Sequence, residues 1–125
     1  MTKSKELPSF HVNLLLDDEE KYSEFAYPPV TVIIPTFNCS PKISPTIQSI
    51  MSQDYPDFEV IIVDGGSTDQ TIPIIKNFQA PFIQIHTVST RNRYEMLNKG
   101  ISHSKGLYIN VLFPGDTYLH PQAIK

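Results

Sequence analysis

Three short polar clusters carry the residue types that can hold a charged ligand: Pro35-Thr36-Phe37-Asn38, Asp64-Gly65-Gly66-Ser67-Thr68-Asp69 and Pro114-Gly115-Asp116-Thr117. An acid followed by glycines lets the backbone approach a ligand closely, and a helix that starts there presents free N–H groups. The same residues also read as a tight turn, with Asp69 or Thr71 capping the helix that follows. Asp116 offers a hard oxygen ligand for a divalent cation, and equally suits a turn after Pro-Gly. Arg91 and Arg93 bring planar donors that match a phosphate, or stand as exposed loop charge. The four histidines, His11, His86, His103 and His120, lie far apart along the chain and show no metal-ligand spacing. Neither a Gly-x-Gly-x-x-Gly nor a P-loop pattern occurs, which argues against dinucleotide and nucleoside triphosphate folds.

These clusters need elements that bring them together. Each follows an apolar, β-branched run: 30–34, closed by Pro35, then 58–63 and 107–113, with a further run at 82–88. Near-continuous apolar runs fit a parallel sheet covered on both faces. Helical signals separate them. Ser44 and Pro45 read as N-cap and first helical residue, with Ile47, Ile50 and Met51 on one face. Ser67, Thr68, Asp69 and Thr71 offer caps for a second helix, where Pro73 falls in the first turn. Tyr94, Leu97 and Ile101 mark a third at i, i+3 and i+7, with Gly106 past its end. The order β-α-β-α-β-α-β predicts an α/β, Rossmann-like doubly wound parallel sheet in strand order 3-2-1-4. In such sheets ligands bind beyond the carboxyl ends of the strands, where all three clusters fall.

The chain of 125 residues is one domain in size and buries roughly two-thirds of its unfolded surface. Apolar residues make up 40% and charged ones 18%, so a folded domain is expected. It divides into a polar, irregular segment 1–28, whose acidic run from Asp17 to Glu20 suits a short helix or a solvated surface, and an α/β domain 29–125. A net charge of -3 without a basic face makes nucleic acid an unfitting partner. Cys39 is the only cysteine, which excludes an intrachain disulfide and suits a reducing, cytoplasmic setting. The apolar runs fall short of the roughly 20 residues that span a bilayer.

Taken together, from Val30 to about Pro121, the clusters resemble glycosyltransferase family 2, whose nucleotide-binding fold is called GT-A. Val-Ile-Ile-Pro-Thr-Phe-Asn from Val32 to Asn38 matches the family's first strand and loop. Ile47-Gln48-Ser49-Ile50-Met51-Ser52-Gln53 continues the pattern, as do the residues from Phe58 through Asp64-Gly65-Gly66-Ser67-Thr68-Asp69 to Thr71. Asn98-Lys99-Gly100-Ile101 and Gly106-Leu107-Tyr108-Ile109 occupy the places of its N-x-G-I and A-x-G-x-Y-I segments. Four segments in the right order are specific where one alone is weak.

The resemblance implies a donor site for a UDP- or GDP-linked sugar. Pro35, Thr36 and Asn38 would line it, Asp64 would contact the nucleoside, and Gly65 stands where many members have a second acid. Arg93 would pair with a phosphate. Asp116 sits in the family's Asp-x-Asp motif and would hold Mg2+ or Mn2+ against the diphosphate; one carboxylate suffices for such an ion when phosphate oxygens and water complete its shell. The implied reaction is inverting transfer to the hydroxyl of a glycan or lipid-linked acceptor, in the synthesis of cell-envelope polysaccharide. The alternative is a non-catalytic nucleotide-sugar-binding module. The acceptor pocket and base would follow the Asp-x-Asp segment, so the chain is expected to be the donor half, with any peripheral membrane association through the missing part. No catalytic base is assigned. On this reading Asp64→Asn weakens nucleotide binding while stability stays within about 1 kcal/mol, the range of a surface change.

Overall fold

The structure is a computed structural model that describes residues 28–119. The acidic run, His11 and His120 lie outside the described residues. Within them the chain alternates strand and helix: β1 (Val30–Thr36), α1 (Ser40–Met51), β2 (Phe58–Asp64), α2 (Thr71–Asn77), β3 (Ile83–Thr87), α3 (Arg93–His103) and β4 (Tyr108–Val111). The strands are parallel and ordered β3-β2-β1-β4, as expected. The register aligns Thr36 with Asp64 and Asp64 with Thr87, so β1, β2 and β3 finish level at one edge.

Alternation along the strands divides the core in two. Val30, Val32 and Ile34 face one way with Val60 and Ile62, against Ile43, Ile47 and Ile50 of α1 and Ile75 of α2. Ile33, Ile61 and Val63 face the other way, against Met96 of α3. The sheet is therefore doubly wound. Each fully buried Ile or Val stabilises the fold by about 1.5–3 kcal/mol relative to exposure, which makes β1 and β2 its axis. β4 departs from the expected two-sided burial: Tyr108, Ile109 and Val111 are exposed, because Met96 and Gly100 seat α3 over the central strands instead.

Three local expectations change. Pro35 does not close β1, which stays paired with β2 through Thr36. Ile33, on the same edge as Pro35, accepts from the Leu112 amide, and β4 pairing ends there, so the missing N–H of Pro35 points where no ladder continues. α1 begins at Ser40, leaving Pro45 inside the helix, because its first amides are capped from another loop. α3 buries Met96 and Gly100 while Tyr94 is 80% and Ile101 48% exposed. Gly100 decides this orientation: a methyl group there would lie 2.7 Å from Ile33 Cγ2, so only glycine lets α3 approach β1 so closely.

His86 and His103, distant in sequence, meet in space, their rings stacked 4.0 Å apart at 20°. Partial burial, then the neighbouring His103 and Lys99, push the His86 pKa below its ordinary value.

Two outcomes follow from this packing. Gly100→Ala gains helix propensity of up to about 1 kcal/mol but overpacks Ile33, and a net loss of about 1–2 kcal/mol in denaturant unfolding is expected. His86 favours its neutral form in the folded state, so its contribution to stability is complete above the ordinary histidine value near 6.5 and is lost as pH falls below it. The thermal midpoint should fall between about pH 7 and pH 5, and His86→Gln should flatten that fall.

Candidate functional site

The carboxyl edge is built by loops that satisfy one another. Asn38 follows β1 with φ of 47°, a left-handed conformation that Asn tolerates better than most residues. Its amide donates to Ser67 Oγ at 2.8 Å, and its Oδ1 accepts from the Thr68 amide at 2.8 Å. Cys39 and Ser40 open α1 by donating their amides to Thr71 Oγ1 and Asp69 Oδ2. The Thr71 hydroxyl in turn donates to Asp69 Oδ1 at 2.6 Å, the main reason the Asp69 pKa lies at about 2. Burial pushes the Cys39 thiol up, so it is protonated at neutral pH and unsuited to nucleophilic attack.

Beside this lock opens a cleft of about 390 Å3 at the carboxyl ends of β1 and β4, where the strand order reverses. One wall is Pro35, Thr36, Phe37 and Asn38, continued by Pro41 and Lys42 of α1. The other is Arg91, Arg93 and Met96, with Phe113 and Pro114 after β4. The Arg91 guanidinium lies 3.9 Å above the Phe37 ring and that of Arg93 4.6 Å above Phe113. Asn92 Oδ1 caps α3 between them, accepting from the Tyr94 and Glu95 amides. Lys42, Arg91 and Arg93 are exposed, no carboxylate lines the cleft, and none of the three is ion-paired among the described residues. Such a pocket takes an anion with an aromatic or apolar portion.

The structure thus brings Pro35, Thr36, Asn38 and Arg93 onto one cleft. It does not bring Asp64 and Gly65 onto its wall. Asp64 is 1% exposed: Oδ1 accepts the Thr36 and Ser67 hydroxyls, both at 2.6 Å, and Oδ2 the Gly66 and Ser67 amides at 3.0 and 2.7 Å. Gly65 is covered by the β3–α3 loop, where an added methyl would stand 2.9 Å from the Thr90 carbonyl oxygen, so an acid at this position needs that loop to move. Lys42 and Phe113 carry no role in the sequence reading, and Phe37 only as part of its cluster, since their meeting depends on α1 and the loop after β4, pinned across 69 and 70 residues by Thr46: its Oγ1 accepts from the Gly115 amide and donates to the Asp116 carbonyl.

Asp116 stands at the rim, just beyond Pro114. Its Oδ2 accepts from the Phe113 amide at 3.0 Å, so it is a turn residue, while Oδ1 makes no hydrogen bond among the described residues. One free, exposed carboxylate oxygen fits a divalent cation that takes its remaining ligands from phosphate and water. Among the described residues no three of His, Cys, Asp and Glu converge to hold a metal without such help.

The family model for glycosyl transferase family 2 matches residues 31–125. The chain belongs to this family. Among curated relatives, a dolichyl N-acetyl-α-D-glucosaminyl phosphate 3-β-D-2,3-diacetamido-2,3-dideoxy-β-D-glucuronosyltransferase of Methanococcus voltae is 32% identical over 77% of the chain, and a chondroitin synthase of Escherichia coli 33% identical over 78%. The chain spans 32% and 14% of their lengths. Among solved structures, the mannosyltransferase PcManGT of Pyrobaculum calidifontis, in complex with GDP-Man and Mn2+, matches 76% of the chain with TM-score 0.71 and 28% identity, the chain covering 30% of it. S. aureus TarS with UDP matches 77% with TM-score 0.71 and 26% identity, again with 30% covered. This family 2 domain therefore has the GT-A type of α/β fold.

The geometry revises what Asp64→Asn should do. An amide NH2 in place of Oδ2 would face the Gly66 and Ser67 amide donors, and in place of Oδ1 would require the Thr36 and Ser67 hydroxyls to reverse, so a loss of about 1–3 kcal/mol in chemical denaturation is expected in place of a surface-sized effect. Asp64→Glu should not restore stability, because the extra methylene displaces the carboxylate from its donors.

Proposed function

We propose that this domain holds the nucleoside diphosphate of a UDP- or GDP-linked sugar, and that the protein transfers the sugar with inversion to a hydroxyl of a glycan or lipid-linked acceptor. The observation that carries the reading is the cleft at the sheet's switch point, cationic on both sides, free of carboxylates and bordered by one acid at its rim. The Mn2+, UDP and GDP-Man complexes of the neighbours support the donor class and the cation. In this reading Arg93 pairs with a phosphate, Phe37 and Phe113 flank the apolar part of the donor, and Asp116 Oδ1 holds Mg2+ or Mn2+. The cation would offset charge on the departing diphosphate. Asp64 and Asn38 keep the loops in position. Cell-envelope polysaccharide synthesis, a cytoplasmic site and peripheral membrane association belong to the same proposal, supported by the glycan-synthesising relatives and by a lone, buried thiol.

A non-catalytic nucleotide-sugar-binding module is the second reading. It is favoured by Pro114, which takes the place of the first acid of the Asp-x-Asp motif. Donor hydrolysis or sugar transfer by a longer chain separates the two.

Calorimetric titration with UDP and GDP tests the donor site. Binding is expected to tighten at least about tenfold when Mn2+ replaces a chelator, since the cation turns the repulsion between the Asp116 carboxylate and the diphosphate into attraction. Asp116→Ala should erase that difference. Absence of binding by either nucleotide with Mn2+ would overturn the donor reading, and a full metal effect in the variant would leave Asp116 as a turn residue only.

A further inference from the structure

The cleft holds more positive charge than one phosphate contact requires. A nucleoside diphosphate carries roughly two to three negative charges at neutral pH. A divalent cation held by one carboxylate brings a net single positive charge to meet them. Two-acid sites have less still, so a cleft built on the cation alone is undercharged for its ligand. This chain has Pro114 where an acid would add negative charge, and it sets Lys42 beside that turn. The Lys42 stem runs along Gly115, with Cδ 3.6 Å and Cβ 3.9 Å from where a Gly115 methyl would stand. Gly115, at φ of 100° and with its amide on Thr46 Oγ1, holds the turn beside that stem. Lys42 sits in the first two turns of α1, where no acidic residue in the helix's first turn competes for it.

From this we infer that Lys42 is a diphosphate ligand which, with Arg91 and Arg93, binds the nucleotide without a metal ion. The inference rests on the nucleoside diphosphate reading of the cleft and adds to it a second, cation-independent mode of charge balance. Lys42 enters from α1, the arginines from the opposite wall, and Asp116 with its cation from the rim, so the two modes use different residues. Lysine suits the task as a compact charge on a flexible stem, able to follow an anion that it contacts as a point charge. The aromatic faces under Arg91 and Arg93 hold the guanidiniums in the cleft without neutralising them.

The test is titration of the 125-residue chain with UDP and with uridine, each in EDTA and in Mn2+, for the wild type, Lys42→Met, Lys42→Arg and Asp116→Ala. Methionine keeps the stem against Gly115 and removes only the charge, and thermal unfolding checks that the fold is intact. UDP is expected to bind at least about tenfold more tightly than uridine in EDTA. Lys42→Met should lose most of that ratio, Lys42→Arg should recover it, and Asp116→Ala should keep it while losing the increment due to Mn2+. UDP binding that requires Mn2+, or a Lys42→Met variant within twofold of wild type in EDTA, overturns the inference and leaves the donor reading standing. No binding under any condition overturns both.

Discussion

A carboxyl group that is 1% exposed needs hydrogen-bond partners in place of its water, and Asp64 has four of them. Two come from hydroxyls and two from amides, so both oxygens are served. One of those hydroxyls belongs to Thr36, the last residue of β1, and the other three donors belong to the loop after β2. Asp64 thereby fixes the end of the central strand against the loop that caps the neighbouring helix. The Gly65 amide donates to the Thr36 carbonyl and closes the same ring from the backbone side. Everything at the carboxyl edge inherits this constraint, because the wall of the cleft is the stretch that starts at Pro35 and Thr36.

Hydrogen bonds between the two loops extend it. α1 has no cap of its own, and its first amides are served by Thr71 and Asp69, while the loop that carries those residues is held by Asn38 from the other side. The second loop caps the helix that follows the first, and the first loop holds the second in place in return. Such an arrangement is cooperative: loss of the Thr71 hydroxyl strands the buried Cys39 amide, at about 1–3 kcal/mol, and loosens the loop that Asn38 holds. It also explains how a cleft made of loops is presented as a shaped surface before any ligand arrives.

This arrangement sets how far the sequence could be read. The strands, their order and the three polar clusters follow from local patterns, since a β-branched run and a helical period are visible in a short window. The start of α1 does not, because its caps come from 29 to 32 residues further on and the local signal at Ser44-Pro45 is a false start. The buried face of α3 is legible only in part: Leu97 packs against the core as its spacing suggests, while Gly100 escapes for a related reason. Gly100 is a packing residue by virtue of having no side chain, and a search for apolar periodicity passes over it. The resemblance alone places Asp64 and Gly65 toward a ligand, and their burial rests on partners distant in sequence, Thr36 for the one and Thr90 for the other. The stacking of His86 on His103 is equally nonlocal, joining the carboxyl half of β3 to the last turn of α3.

The two arginines show how the cleft reconciles order with readiness. An exposed guanidinium over a half-buried aromatic ring gains about 0.5–1 kcal/mol, whereas hydrogen bonds to a charged group are worth about 1.5–3 kcal/mol each. The ring contact is therefore strong enough to restrict the side chain and too weak to compete with a phosphate. A carboxylate partner would have been the wrong choice, because an anionic ligand would first have to break an ion pair and would meet a negative charge left behind. Phe37 and Phe113 avoid both costs. They sit one just past β1 and one just past β4, the two strands at whose carboxyl ends the cleft opens, so the same rings that hold the cations also supply apolar walls. The ligand class follows from that combination, with charge on the arginines and lysine and apolar surface beneath them.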